Sequence, residues 1–166
     1  MTDCSSSLVC HSLGEHITPS TLVKQNTQWY PENYNSIIIV NPASSLVLDA
    51  SQYHTQLQQY TGSPLQLWRF ERTETGNFLI KNVGNQRYLQ VQGDATNGKG
   101  IFTEGKSGGP SQQWQYNHLE QTITNSASGR ALDIQGFNFI AGAGIEIYDK
   151  HAGTNQRFSL QYKKVD

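Results

Sequence analysis

Apolar residues in this chain fall in short runs, most alternating with polar residues and each bounded by Asn, Gly, Ser or Pro. Alternation at period two marks a half-buried strand, and no stretch keeps the 3.6-residue spacing of an amphipathic helix. The pattern predicts an all-β chain. Trp68 and Phe70, two apart, fall on one face of their strand and are expected in the core.

The strands recur with a period. Ile37 to Ser51 (IIIVNPASSLVLDAS), Phe78 to Gln92 (FLIKNVGNQRYLQVQ) and Gln121 to Gln135 (QTITNSASGRALDIQ) share one plan. Each is an apolar strand ending in Asn, a turn of small polar residues, then an alternating strand. The Asn falls at 41, 82 and 125, and the position after the second strand's Leu is Asp49, Gln90 and Asp133, both in steps of 41 and 43. Each segment has a tail that starts with Gln and places an aromatic two residues later: QLWRF, QQWQY and QRFSL, with Trp68, Trp114 and Phe158 in steps of 46 and 44. Three markers keep one period, which predicts three repeats, about 36–76, 77–120 and 121–163, of about four strands each. Such repeats close into a threefold barrel with a hairpin cap, and closure removes exposed edges. The tail aromatics are expected in the core, and the tail Gln is expected to satisfy backbone groups of the turn before it.

Residues 1–34 do not repeat and read as an N-terminal extension ahead of a domain spanning 35–166. Trp29, Tyr30 and Tyr34 in this extension are expected to pack on the barrel or on a second subunit, so a homodimer is one reading.

With 166 residues the chain is one domain's worth of sequence, and 12 Lys+Arg against 13 Asp+Glu leave no basic run, which argues against nucleic acid as a partner. Charged residues are only 15% of the chain, and Gln, Asn, Ser, Thr and Gly fill the surface, as suits a neutral, hydroxyl-rich ligand. Cys4 and Cys10 either close a small disulfide loop or remain thiols. The N-terminus has an early Asp, no basic start and no long apolar run, so no signal peptide and no membrane insertion are expected. A soluble protein, cytoplasmic or secreted without a leader, is the expectation.

The three Gln-x-aromatic tails and the upstream LD-type strands resemble the ricin B-chain lectin family over about residues 35–163. The resemblance implies a β-trefoil lectin that is not an enzyme, needs no cofactor or metal, and binds galactose- or N-acetylgalactosamine-type glycans of glycoproteins or glycolipids in shallow pockets. In the family pocket an Asp accepts hydrogen bonds from adjacent sugar hydroxyls, the charge-assisted kind. An aromatic ring stacks on the pyranose. A polar residue two before the ring and an Asn–Gln pair complete the site.

Mapped this way, the third repeat keeps Asp133, Glu146 (where Gln is usual), Tyr148, Asn155 and Gln156. His151 and Asp149 follow, as rim residues or simply solvated ones. The first repeat offers Asp49, Gln58 and Tyr60, but over a shorter spacing and with Leu65 in the Asn place. The second has Gln90 for the Asp and Glu104 for the ring, and is expected not to bind. Two sites per chain, or a dimer, would let the protein agglutinate cells. Asp133 with Glu146 is the best acid pair for a glycosidase, but sugar hydroxyls already account for both, and the five His residues share no metal spacing. The alternative is a β-trefoil protein-binding module such as a protease inhibitor, which needs no Asp–aromatic pair.

Overall fold

The computed structural model describes residues 15–16, 31 and 34–162. Cys4, Cys10, Trp29 and Tyr30 lie outside them. Among the described residues thirteen short strands form one sheet system. After β1 (Glu15–His16), the first repeat is β2 (Ile37–Asn41), β3 (Leu46–Asp49), β4 (Gln56–Gln58) and β5 (Trp68–Arg72). The second is β6 (Phe78–Asn82), β7 (Tyr88–Val91), β8 (Ile101–Glu104) and β9 (Trp114–Asn117). The third is β10 (Thr122–Asn125), β11 (Ala131–Ile134), β12 (Ile145–Tyr148) and β13 (Ser159–Tyr162).

First and fourth strands of the repeats make the barrel, antiparallel in the order β13-β2-β5-β6-β9-β10. The Phe158 N–H closes it on the Gln121 carbonyl at 2.7 Å. Second and third strands make three hairpins that cap one end. The hairpins lock to one another through backbone bonds: Thr55 N–H to the Ile101 carbonyl, Leu57 N–H to Ala143, and Ile147 N–H to Lys99. No edge within the ring is left open, so the predicted all-β trefoil is the observed fold.

The repeated Asn explains how one repeat is tied to the next. Its side-chain carbonyl accepts from the following turn, as Asn41 does from Ser44 N–H and Asn125 from Ser128 N–H. Its amide donates across the repeat boundary: Asn41 to the Thr154 and Arg157 carbonyls, Asn82 to Leu65, Asn125 to Pro110 and Gln113. Four residues after each Asn the backbone turns left-handed, at Ser45 (φ 62°), Gln86 (φ 62°) and Gly129 (φ 71°). Only one of the three is Gly, so the hydrogen-bonded turn holds two other residues where they seldom sit.

Trp68, Trp114 and Phe158 are fully buried. The indoles of Trp68 and Trp114 donate to the Leu48 and Leu89 carbonyls, the partners a buried N–H requires. Ile37 and Ile39 face this central core, whereas Ile38 and Val40 form a smaller cluster with Val47 under Tyr60 and Leu67. That is why β2 reads as an unbroken apolar run: both its faces are covered. Of the extension, β1 pairs with β13 and Tyr34 stacks on Tyr162 with centroids 4.5 Å apart. Among the described residues no helix is long and apolar enough to cross a membrane.

Candidate functional site

Each tail Gln closes a 3-10 turn: Pro64–Gln66, Pro110–Gln112 and Thr154–Gln156. Pro at the start of the first two pre-sets the turn and gives up an N–H that would lack a partner there. The buried Gln side chain then does two jobs. Its oxygen accepts from the preceding loop, as with His151 and Ala152 N–H on Gln156. Its amide reaches back to the end of the second strand: Gln66 to Asp49 at 2.9 Å, Gln112 to Gln90 at 2.9 Å, Gln156 to Asp133 at 2.8 Å. The expected turn-satisfying role is therefore met, and the same side chain also aims the acidic residue.

In the third repeat Asp133, Glu146, Tyr148 and Asn155 line one cavity of about 320 Å³, completed by Gly136, Phe137 and His151. Asp133 is buried, 3% exposed, and its two oxygens accept from Asn155 at 3.1 Å and Gln156 at 2.8 Å. Gln156 itself is fully buried behind the cavity and enters the site through Asp133. The Asn155 carbonyl oxygen is buried with no hydrogen-bond partner, a costly arrangement in a protein interior. Tyr148 is 42% exposed at the mouth.

Antiparallel pairing of β11 with β12 sets Asp133 directly opposite Glu146 and Ala131 opposite Tyr148. Two carboxylates facing across a ladder repel. Partial burial, then a hydrogen bond to Asp133 and its charge, raise the Glu146 pKa from 4.5 to about 7. The two Asp133 oxygens keep their amide donors, so Glu146 is the member of the pair whose proton is held toward neutrality. His151 lines the cavity with Nε2 3.7 Å from Asp133. Asp149 instead turns away to Asn97 and Arg130, which hold its carboxyl below the usual range.

The same register corrects the reading of the first repeat. Asp49 pairs with Gln56, and Val47 with Gln58. Gln56 thus corresponds to Glu146, and Gln58, not Tyr60, to Tyr148. Tyr60 lies two residues past that position, packed on the Ile38–Val40–Val47 cluster. The loop after Asp49 was shortened by more than counting back from an aromatic could reveal. In the second repeat Gln90 pairs with Phe102 and Tyr88 with Glu104, which places Gln90 and Glu104 where they were expected. Glu104 faces Arg87 at 3.9 Å. Phe137 went unassigned because the loop QGFNFIAGAG has no counterpart in the other repeats; its run of exposed apolar residues was the available signal.

The ricin-type beta-trefoil lectin domain-like family model matches residues 25–103 and 64–148, together more than half of the chain, and the chain belongs to that family. Among curated proteins none matches. Solved structures of the same fold include the designed threefold-symmetric protein ThreeFoil, at 22% identity and TM-score 0.73, covering 77% of this chain and 99% of that one. The ricin B-like lectin of Macrolepiota procera, in complex with lactose, superposes at TM-score 0.70 and 16% identity over 82% of this chain and 99% of its own. The C-half of the earthworm R-type lectin, in complex with GalNAc, does so at TM-score 0.62 and 21% identity over 77% and 98%.

Proposed function

We propose that the third-repeat cavity binds the terminal sugar of a glycan, reversibly and without chemistry. A shared fold does not carry a function by itself, so the reading has to rest on the site. The observation behind it is the convergence of a buried, amide-oriented carboxylate (Asp133), an exposed ring (Tyr148) and polar Glu146 and Asn155 in one small cavity. Asp133 would accept from two vicinal hydroxyls, and the Tyr148 ring would lie against the sugar's C–H face. Galactose or N-acetylgalactosamine is the proposed class, in keeping with the lactose and GalNAc held by the two lectins above.

The Asp133–Glu146 geometry supports binding over hydrolysis. Glycosidase carboxyls stand roughly 5–9.5 Å apart to admit a glycosidic bond or a water. Here they are direct partners across one strand ladder, close enough for Asp133 to raise the Glu146 pKa. The first repeat keeps Asp49 with Gln56 and Gln58 but has no ring in register, so we assign one strong pocket per chain. Shallow sugar sites are weak singly, and agglutination would then require association of two copies.

A glycan array of the wild type beside Asp133→Ala tests the reading. Signal on terminal galactose or N-acetylgalactosamine structures, lost in the variant, is the expected result. A wild type dark across the array overturns it and brings the protein-binding alternative forward.

A further inference from the structure

We propose that the site extends beyond the terminal-sugar pocket onto the ring of Phe137, which stacks the second pyranose of a bound oligosaccharide. The inference rests on the sugar-binding reading of the pocket.

Phe137 lines the same cavity as Asp133 and Tyr148 and is 54% exposed. Among the described residues five large hydrophobic side chains are exposed, and three of them, Phe137, Ile140 and Tyr148, belong to this one hairpin. Two exposed rings, Phe137 and Tyr148, in the lining of one polar cavity are the composition of a ligand surface. The ring is also held in place. His151 stacks parallel to it, 13° between planes at 6.2 Å, and Phe139 meets its edge at 6.2 Å and 83°. Phe139 in turn packs on the central core. Offset from His151 by 6.2 Å, the Phe137 ring keeps more than half of its surface open to solvent.

His151 is fixed as firmly. Its Nδ1 accepts the Gly153 N–H at 3.0 Å, which leaves the Nε2 side toward Asp133 at 3.7 Å. A Cβ at position 153 would come within 2.8 Å of the imidazole, so Gly153 is needed for the ring to sit there. The platform is therefore built at a set position relative to the carboxylate that reads the first sugar.

The backbone supplies the platform deliberately. Gly136 (φ 64°) and Phe137 (φ 54°) are consecutive left-handed residues, a conformation a bulky side chain rarely adopts. They lie in the connection from Asp133 to Glu146, thirteen residues, where the first repeat goes from Asp49 to Gln56 in seven. The longer connection is what carries Phe137. A pyranose with its hydroxyls on Asp133 and its C–H face on Tyr148 has its stacking face in use. The Phe137 face is then free for the next residue of the chain.

The test is calorimetric titration of wild type, Phe137→Ala and Phe137→Tyr with four probes. These are the methyl glycosides of galactose and N-acetylgalactosamine, lactose and N-acetyllactosamine. The wild type should bind a disaccharide about tenfold more tightly than the matching methyl glycoside, the size of one good ring contact. Phe137→Ala should erase that gain, weakening the disaccharides about tenfold more than the methyl glycosides, and Phe137→Tyr should restore it. Equal losses for methyl glycosides and disaccharides, or an undiminished gain in Phe137→Ala, overturn the extension while the pocket stands. If the wild type takes none of the four probes and is dark on the array, the pocket reading falls and the extension with it.

Discussion

Asp133 and Glu146 are direct partners across β11 and β12, and both line one cavity. Glu146 holds the proton, with a pKa near 7. Folding therefore binds a proton that the unfolded chain has lost between about pH 4.5 and 7. The sign follows: through that window stability falls as pH rises, because the unfolded state binds fewer protons than the native one. Glu146→Gln, which keeps the shape and removes the titration, should show a flatter pH dependence than the wild type. Paired thermal melts from pH 4.5 to 8 check this. Parallel curves for the two proteins would show that Glu146 titrates normally.

Tyr148 and Tyr60 should separate by role. Tyr148→Ala should abolish sugar binding with stability changed by no more than about 0.5 kcal/mol, as for an exposed surface residue. Tyr60→Ala should leave sugar binding intact and cost about 1–3 kcal/mol, because the ring covers Ile38, Val40 and Val47. Urea unfolding read beside glycan binding distinguishes them. Loss of binding in Tyr60→Ala would restore that ring to a first-repeat site.

The tail glutamines should split along the same line. Gln112→Ala and Gln156→Ala each remove a fully buried side chain whose oxygen accepts two part-buried loop N–H groups, at a cost of about 1–3 kcal/mol. Of these two, Gln156 orients an acid and Gln112 does not, so loss of Gln156 alone should also weaken sugar binding. Equal binding in both variants would mean Asp133 is positioned by Asn155 alone.

Asp133→Asn offers a sharper probe than Asp133→Ala. The amide keeps the volume, but one side of it cannot accept from Asn155 or Gln156, both buried donors. Binding should be lost and stability lowered by about 1–3 kcal/mol, whereas the matching Gln90→Glu in the second repeat should not create binding, since Phe102 occupies the place of Glu146. A second-repeat variant that gains sugar binding would contradict this.

The trefoil was legible because its markers are local and repeated: Asn41, Asn82 and Asn125, the three tail glutamines, and the aromatics two residues on. Each of these reports a hydrogen bond or a core place that recurs with the period. Asp133, Tyr148 and Asn155 were legible once the family's pocket was mapped onto the third repeat. What escaped depends on register between strands. Tyr60 was given the ring position because it is the aromatic within reach by count, and only the Val47–Gln58 pairing shows the count to be two residues long. The raised pKa of Glu146 follows from its partial burial and its partner across the ladder, which no spacing along the chain states. Phe137 sits in a loop that the repeat does not describe, with left-handed backbone at Gly136 and Phe137, and its meeting with His151, a rim candidate from the sequence, could not be read there.

The boundary bonds of the repeated Asn run in a circle. Asn82 holds the tail of the first repeat, Asn125 that of the second, and Asn41, near the start, that of the third. The strand pairs make the same circuit, with Tyr162 beside Ile37. The position of the chain ends is thus incidental to the stitching. A circular permutant joined through a short linker between residues 162 and 36, and opened in the turn at 73–77, should fold to the same trefoil with its sugar pocket intact.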